Sequence, residues 1–174
     1  MSRRASSRLL ALHQARSFPR AVEATLLFLI RDDQVLLMRK RRGHGAGFIN
    51  APGGKRETDE TPLTCALRET REEVGLDVRQ ARLLGELRFE DLSGERVLGW
   101  AFRADAGDGE PVCSSEAIPF WCPIASVPYA QMWPGDRFWL PWLLADRTFL
   151  ATLLCDGARV LEAKVTPVSR HALC

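Results

Sequence analysis

No apolar run among the 174 residues approaches the ~20 that a membrane-spanning helix requires; the longest, 24–30, is followed at once by Arg31-Asp32-Asp33. A membrane partner is therefore not expected. Cysteine is sparse and badly spaced for a framework: five residues, an odd number, and no C-x-x-C pair. That excludes a disulfide-stapled miniature and a thiolate zinc site, and suits reduced thiols in a cytoplasmic setting. A large excess of one charge is missing as well, since 24 basic residues face 22 acidic ones. Five arginines and no acid lie in residues 1–20, so the remainder carries 19 basic against 22 acidic residues. The broad electrostatic footprint of a duplex nucleic-acid binder is absent, and any bound polyanion must be met by a local cluster or by metal ions. There is no internal repeat and no low-complexity stretch. The 46% hydrophobic and 26% charged fractions describe one ordinary globular domain.

The head, with Leu9, Leu10 and Leu12 among its arginines and serines, has a composition shared by organellar transit peptides and by basic tails. Residues 1–20 are expected as a flexible extension, with a mitochondrial location if that segment is a transit peptide. Residues 21–168 form the folded domain and 169–174 a short tail. Hydrophobic runs at 22–30 and 34–39 flank a polar turn and read as paired strands. A glycine-rich loop, 41–55, leads to a helix at Pro62–Val74. Strands follow at 83–89, 96–103 and 118–122, a second helix at 136–145 despite Pro141, and a hairpin of 149–155 with 159–164 across Asp156-Gly157. Many strands with two helices indicate an α+β domain, expected as a monomer.

The first main helix carries the chemistry. Thr61 caps it, Pro62 fits its first turn and Gly75 stops it. At 100° per residue Leu63, Ala66, Leu67, Thr70 and Val74 form a core stripe. Glu69 and Glu73 project together beside it, with Glu72 adjacent. Like charges at this spacing cost ~0.2–0.5 kcal/mol per pair, which Arg68 relieves only in part. Such crowding has two readings, a solvated acidic face or a divalent-cation site built of hard oxygen ligands. Pro52-Gly53-Gly54-Lys55, just upstream, lets backbone groups approach a ligand closely and favours the second.

From Gly54 the pattern runs five residues to Glu60, seven more, then Arg68-Glu69-Thr70-Arg71-Glu72-Glu73-Val74-Gly75-Leu76. It resembles the Nudix box, the signature of hydrolases that act on nucleoside diphosphates linked to another group. Its one departure is Thr70, where the box has an aliphatic residue. Outside the box, Thr25, Lys40, the loop Arg42-Gly43-His44-Gly45-Ala46-Gly47-Phe48-Ile49-Asn50, and Met132-Trp133-Pro134-Gly135-Asp136 with Phe138 and Trp139 also fit. Over 22–168 the chain is similar to the MutT-like, 8-oxo-dGTP type hydrolases of oxidised purine nucleoside triphosphates.

That resemblance implies an α/β/α sandwich around a mixed sheet and Mg²⁺, or Mn²⁺ in its place, as cofactor. It implies a small nucleotide substrate, cut to the nucleoside monophosphate and pyrophosphate, and a role in clearing damaged nucleotides before polymerases use them. Glu69 and Glu73 would be metal ligands and Glu72 a ligand or the water-activating base. The Gly53 carbonyl and Glu116 would complete the shell, while Glu60 and Arg68 orient the carboxylates. Thr25, Lys40, Asn50, Pro52, Gly53, Gly54 and Lys55 would contact the nucleotide. Trp133, Pro134, Gly135 and Asp136 would frame the purine, with Trp133 stacking and Asp136 hydrogen-bonding.

Each outer residue has a plainer reading: Lys40 in a solvated charge run, Trp133 in the core, Asn50 in a turn, Glu116 on a surface loop, His44 in solvent rather than the pocket wall. The subfamily has two adjacent aspartates after Trp-Pro, whereas this chain has Gly135 then Asp136. A lone aspartate lacks the shared proton that lets a pair meet different purine edges, so a narrower base preference is expected. Two rival readings are a Nudix hydrolase for a sugar nucleotide, dinucleotide or RNA cap, and a non-catalytic nucleotide- or RNA-binding protein on the same fold.

Overall fold

The computed structural model describes residues 3–43, 45–107 and 109–173. Eight strands make one mixed sheet: β1 (Val22–Arg31), β2 (Gln34–Lys40), β3 (Ile49–Asn50), β4 (Arg82–Asp91), β5 (Arg96–Asp105), β6 (Ala117–Pro123), β7 (Phe149–Asp156) and β8 (Arg159–Pro167). The order is β3-β2-β1-β5-β4-β7-β8, with β6 on the other edge of β2. The pairs β1–β5 and β4–β7 are parallel and the rest antiparallel. Every element expected in the folded domain is present within a few residues. The loop 41–55 also holds the short strand β3, and the reading of His44 as pocket wall lies outside the described residues.

Alternation along the strands sorts the core into two layers. Phe28 and Ile30 of β1, Leu87 of β4 and Leu153 of β7 meet Trp139, Leu140 and Leu143 of α3 (Asp136–Leu144). Leu27 and Leu29, on the opposite face of β1, meet Ala66 and Val74 of α2 (Pro62–Val74). The expected α/β/α sandwich follows from this. Trp139 is fully buried, edge-on to Phe28 at 5.9 Å and stacked on Phe149 at 6.0 Å. Arg103 caps α3 by donating to the carbonyls of Leu143 and Leu144.

The head corrects the expectation of a flexible extension and adds a helix to the two main ones. Arg3–Gln14 form a third helix, α1, which packs on β7 and β8. Leu9 and Phe18 are buried, and the His13 ring lies 2.9 Å from the hydroxyls of both Thr152 and Thr166. Arg88 donates to the carbonyls of Leu12 and Ala15, and Arg8 pairs with Glu90, itself held by Arg96. The tail is docked too: Arg170–Leu173 form a short 3-10 turn with Leu173 buried. Among the described residues no helix is long and apolar enough to cross a membrane, and the four described cysteines are free thiols.

Candidate active site

The site begins where β1 and β2 part. They pair only beside their turn, at Ile30–Val35 and Arg31–Gln34. Farther along, the segment after β3 fills the gap: Leu27 N–H donates to the Pro52 carbonyl and Thr25 N–H to the Gly54 carbonyl, both at 2.9 Å. The amide of the intervening Gly53 points to α2 instead and donates to Glu73 Oε2 at 2.9 Å. A side chain at Gly53 would collide with the Thr25 carbonyl, and one at Gly54 with the carboxylate of Glu69. Both glycines are thus fixed by close approach, the first to a strand and the second to the acidic helix.

That helix starts and stops as its sequence requires. Thr61 Oγ1 accepts from Thr64 N–H at 3.1 Å, and Gly75 ends it in the left-handed conformation at φ 72°. Its buried stripe is turned from the expected one: Leu63 is exposed, while Cys65, Ala66, Thr70, Glu73 and Val74 are buried. Thr70 returns its hydroxyl to the Ala66 carbonyl at 2.8 Å, which satisfies the polar group and leaves its methyl to pack.

The three carboxylates differ in setting. Glu73 is 3% exposed and pairs with Lys40 Nζ at 3.0 Å. Burial pushes its carboxyl above the usual range, against the opposing pull of the Gly53 amide and Lys40. Glu69 is mostly covered and accepts from Arg68 at 2.8 Å, whereas Glu72 is exposed and accepts from the same guanidinium at 3.2 Å. Arg68 in turn is gripped by both oxygens of Glu60 at 2.7 and 3.1 Å. The Arg68 hydrogen bonds, with the Glu57 amide, hold Glu60 down to about 2. Glu60 and Arg68 form a bracket that fixes Glu69 and Glu72, an arrangement that suits positioning rather than bond-breaking.

Glu116 stands apart from this group. Its side chain is half exposed and 3.6 Å from Arg42, and it does not line the cavity described below. Among the described residues no three acidic, histidine or cysteine side chains are gathered closely enough to form a metal cage. The expected ligand set is thus brought into one neighbourhood at Glu69, Glu72, Glu73 and Gly53, but Arg68 and Lys40 hold its carboxylates. All-oxygen donors around a glycine opening with no room for side chains fit a hard divalent cation.

A cavity of about 720 Å³ opens from Glu69, Gly53 and Gly54. Lys40, Lys55, Thr25 and Asn50 border it, as do Trp133, Pro134, Gly135 and Asp136. Two of the expected contacts are otherwise engaged. The Thr25 hydroxyl donates to Cys65 Sγ of α2 at 3.3 Å and its N–H to the Gly54 carbonyl, so both donors of Thr25 are engaged. Asn50 Oδ1 accepts from the following Ala51 N–H at 2.9 Å, leaving its amide nitrogen. Trp133 stacks on Phe48 with ring centres 4.6 Å apart, which props the indole at the cavity edge.

Asp136 is 4% exposed, and its Oδ2 has no hydrogen-bond partner. Burial raises its carboxyl to about 7. The buried indole N–H of Trp139, which also lines the cavity, favours the charged form without meeting hydrogen-bond geometry. One carboxyl oxygen and an N–H donor, both unpaired, thus border a cavity that Leu87, Phe89 and Val97 also line. Sequence reasoning missed Trp139 as a polar wall group, since a tryptophan at that helix position reads as core.

Residues 19–143 match the NUDIX domain model. The chain belongs to the Nudix family. It is 38% identical over 138 residues to the oxidized purine nucleoside triphosphate hydrolase of Danio rerio, a match spanning 79% of this chain and 88% of that one. The mouse protein of the same name, from Mus musculus, is 37% identical over 126 residues, spanning 72% and 81%. In three dimensions the fold is similar to a MutT protein of Bacillus halodurans, with a TM-score of 0.75 and 28% identity over 85% of this chain and 99% of that one. Nudix hydrolases generally use a divalent metal, in keeping with the oxygen-rich carboxylate neighbourhood of α2.

Proposed function

We propose that this Nudix protein is a Mg²⁺-dependent hydrolase of oxidised purine nucleoside triphosphates, releasing the nucleoside monophosphate and pyrophosphate. One observation carries the reading: the acidic helix, through Glu69, and Asp136, with its unpaired Oδ2, border a single cavity, one to meet a phosphate chain and the other a base edge. The names of the two vertebrate relatives support the substrate class.

In this reading Glu69, Glu73 and the Gly53 carbonyl hold the metal, with Glu72 as a further ligand or as the base that takes a proton from the attacking water. Glu116 would join the shell only by leaving Arg42. When bound, Mg²⁺ supplies charge neutralisation on the phosphate oxygens and acidifies the water that it holds. Lys40 and Lys55 add point charges along the phosphate chain. Arg68, anchored by Glu60, keeps Glu69 and Glu72 aimed at the metal. Water attacks phosphorus, the phosphoanhydride P–O bond breaks, and pyrophosphate departs with the electron pair. At the other end Asp136 and the Trp139 N–H discriminate among bases, because a wrong base would leave them buried and unpaired. Free thiols and a small nucleotide substrate suit a monomer of the cytoplasm that sanitises the nucleotide pool.

Pyrophosphate release from a panel of normal and oxidised purine triphosphates tests the reading. The expected result is Mg²⁺-dependent release, fastest with an oxidised purine and lost in Glu72→Gln. Release only from a sugar nucleotide, dinucleotide or capped RNA would assign a different Nudix substrate. Binding without turnover would make the protein a nucleotide-binding module.

A further inference from the structure

The purine end of the cavity is closed by two turns. One joins β4 to β5, and the other joins β7 to β8. The parallel ladder between β4 and β7 ends at Asp91–Cys155, which brings the two turns side by side. Asp91 lies on the same strand face as Phe89, the cavity face, and its carboxylate spans the gap. Oδ1 accepts from Ser93 N–H at 2.8 Å within its own turn, and Oδ2 accepts from Gly157 N–H at 2.7 Å in the other. Leu92 N–H donates to the Cys155 carbonyl at 2.9 Å beside it. Gly157 sits at φ 57°, a left-handed position that the tight turn demands.

The turn so anchored carries cavity wall. The register between β7 and β8 shifts by one at Leu154/Cys155, so that Val160 rather than Leu161 pairs with Cys155 and shares its face. Cys155, Gly157, Ala158 and Val160 all border the cavity, and Val160 approaches Gly135 beside Asp136. Residues 156–159 are otherwise exposed. Only an ionised carboxyl, accepting through both oxygens, satisfies both amides; an asparagine at this position would turn an N–H₂ toward one of them.

We propose that Asp91 is a positioning residue for substrate selection. Its carboxylate ties the two turns together and fixes the wall from Cys155 to Val160 against which the purine is measured. The inference rests on the purine reading of the cavity. The Asp91 carboxylate hydrogen-bonds Ser93 and Gly157 and, among the described residues, none of the groups that hold the box carboxylates, so its loss changes fit at the base and leaves the phosphate chemistry in place.

Steady-state pyrophosphate release by the full chain, with purine triphosphates that differ in oxidation at C8, tests this in Asp91→Ala and Asp91→Asn. In Asp91→Ala, KM for the preferred nucleotide should rise roughly tenfold, the size of a lost charged hydrogen bond, while kcat changes by less than about threefold. The preference for one purine over another should shrink by a similar factor, with Asp91→Asn falling between the alanine variant and wild type. A merely structural residue would lower the active fraction, reducing kcat for every nucleotide alike at constant KM. Unchanged KM, or that uniform loss of kcat, overturns the proposal; if Asp91→Ala does not fold, Asp91→Asn decides on the same criteria. An active wild type with unaltered variants overturns the clasp alone. A wild type that cleaves no purine triphosphate overturns the substrate reading, and the clasp's role with it.

Discussion

The two ends of the cavity are built by opposite means. The charged end comes almost entirely from the stretch 52–73, with Lys40 added from β2, and its side chains are pinned by one another: Glu60 on Arg68, Arg68 on Glu69 and Glu72, Lys40 and the Gly53 amide on Glu73. The purine end collects Asn50, Phe89, Trp133 with Asp136, and Val160 from four separate segments, and its key polar atom has no partner. One end is a saturated network that keeps its charges in place. The other holds unpaired groups in reserve for a ligand. In the proposed function, chemistry and selectivity are therefore separable, and each should be open to damage alone.

The sharpest way to break the contrast is a pair of substitutions. Glu73→Gln keeps shape but removes a buried charge at the metal neighbourhood, so kcat should fall by roughly 10²–10³-fold, on the scale of a lost transition-state contact, with KM little changed. Asp136→Ala should show the reverse split, with KM for the preferred purine rising by about 10²-fold and kcat less affected. Both are read from the same steady-state pyrophosphate assay. If both variants lose kcat alone, the two ends act as one unit.

Gly135→Ala sharpens the contrast at the base end. An added methyl would fall 2.8 Å from Leu153 Cδ2 and 3.3 Å from the Phe89 ring. Overpacking of this kind costs about 1–3 kcal/mol, so the variant should melt several degrees lower. Leu153, Phe89 and Val160 occupy the space beside Gly135, so a side chain there must displace them. A variant with an unchanged melting temperature would show that this wall gives way freely.

The same buried carboxyl gives stability a pH dependence. The Asp136 carboxyl titrates near 3.8 when unfolded and at about 7 when folded. Between those values the folded state binds the extra proton, so stability falls as pH rises and levels off above about 7. In Asp136→Asn that fall is removed. The melting-temperature difference, variant minus wild type, should therefore grow from pH 4 to 7 and then plateau. A difference independent of pH would mean that the carboxyl is ionised throughout.

The same division explains what the sequence discloses. The acidic helix is legible because its cap, stop and carboxylate spacing all lie within one turn-by-turn repeat, and because the glycines that receive it are only a few residues upstream. What escapes is assembled at long range. Among its described residues the α1 helix buries only Leu9 and His13, with Phe18 just beyond it, and its partners Thr152, Thr166 and Glu90 lie far along the chain, so its arginines read as a tail. Glu73 rather than Leu63 faces inward because Lys40 and the Gly53 amide offer it partners that no helical projection contains. The two turns joined by Asp91 meet through a parallel β4–β7 pairing, and nothing in either segment announces the other.

The central claim is that the carboxylates of α2 bind a divalent metal beside the phosphate chain. Isothermal titration of the full chain with Mn²⁺, in the presence of a non-hydrolysable purine triphosphate analogue, measures that directly. Saturable uptake is expected, weakened at least tenfold by Glu69→Gln and by Glu73→Gln. Equal uptake by wild type and both variants, or no uptake at all, would contradict it.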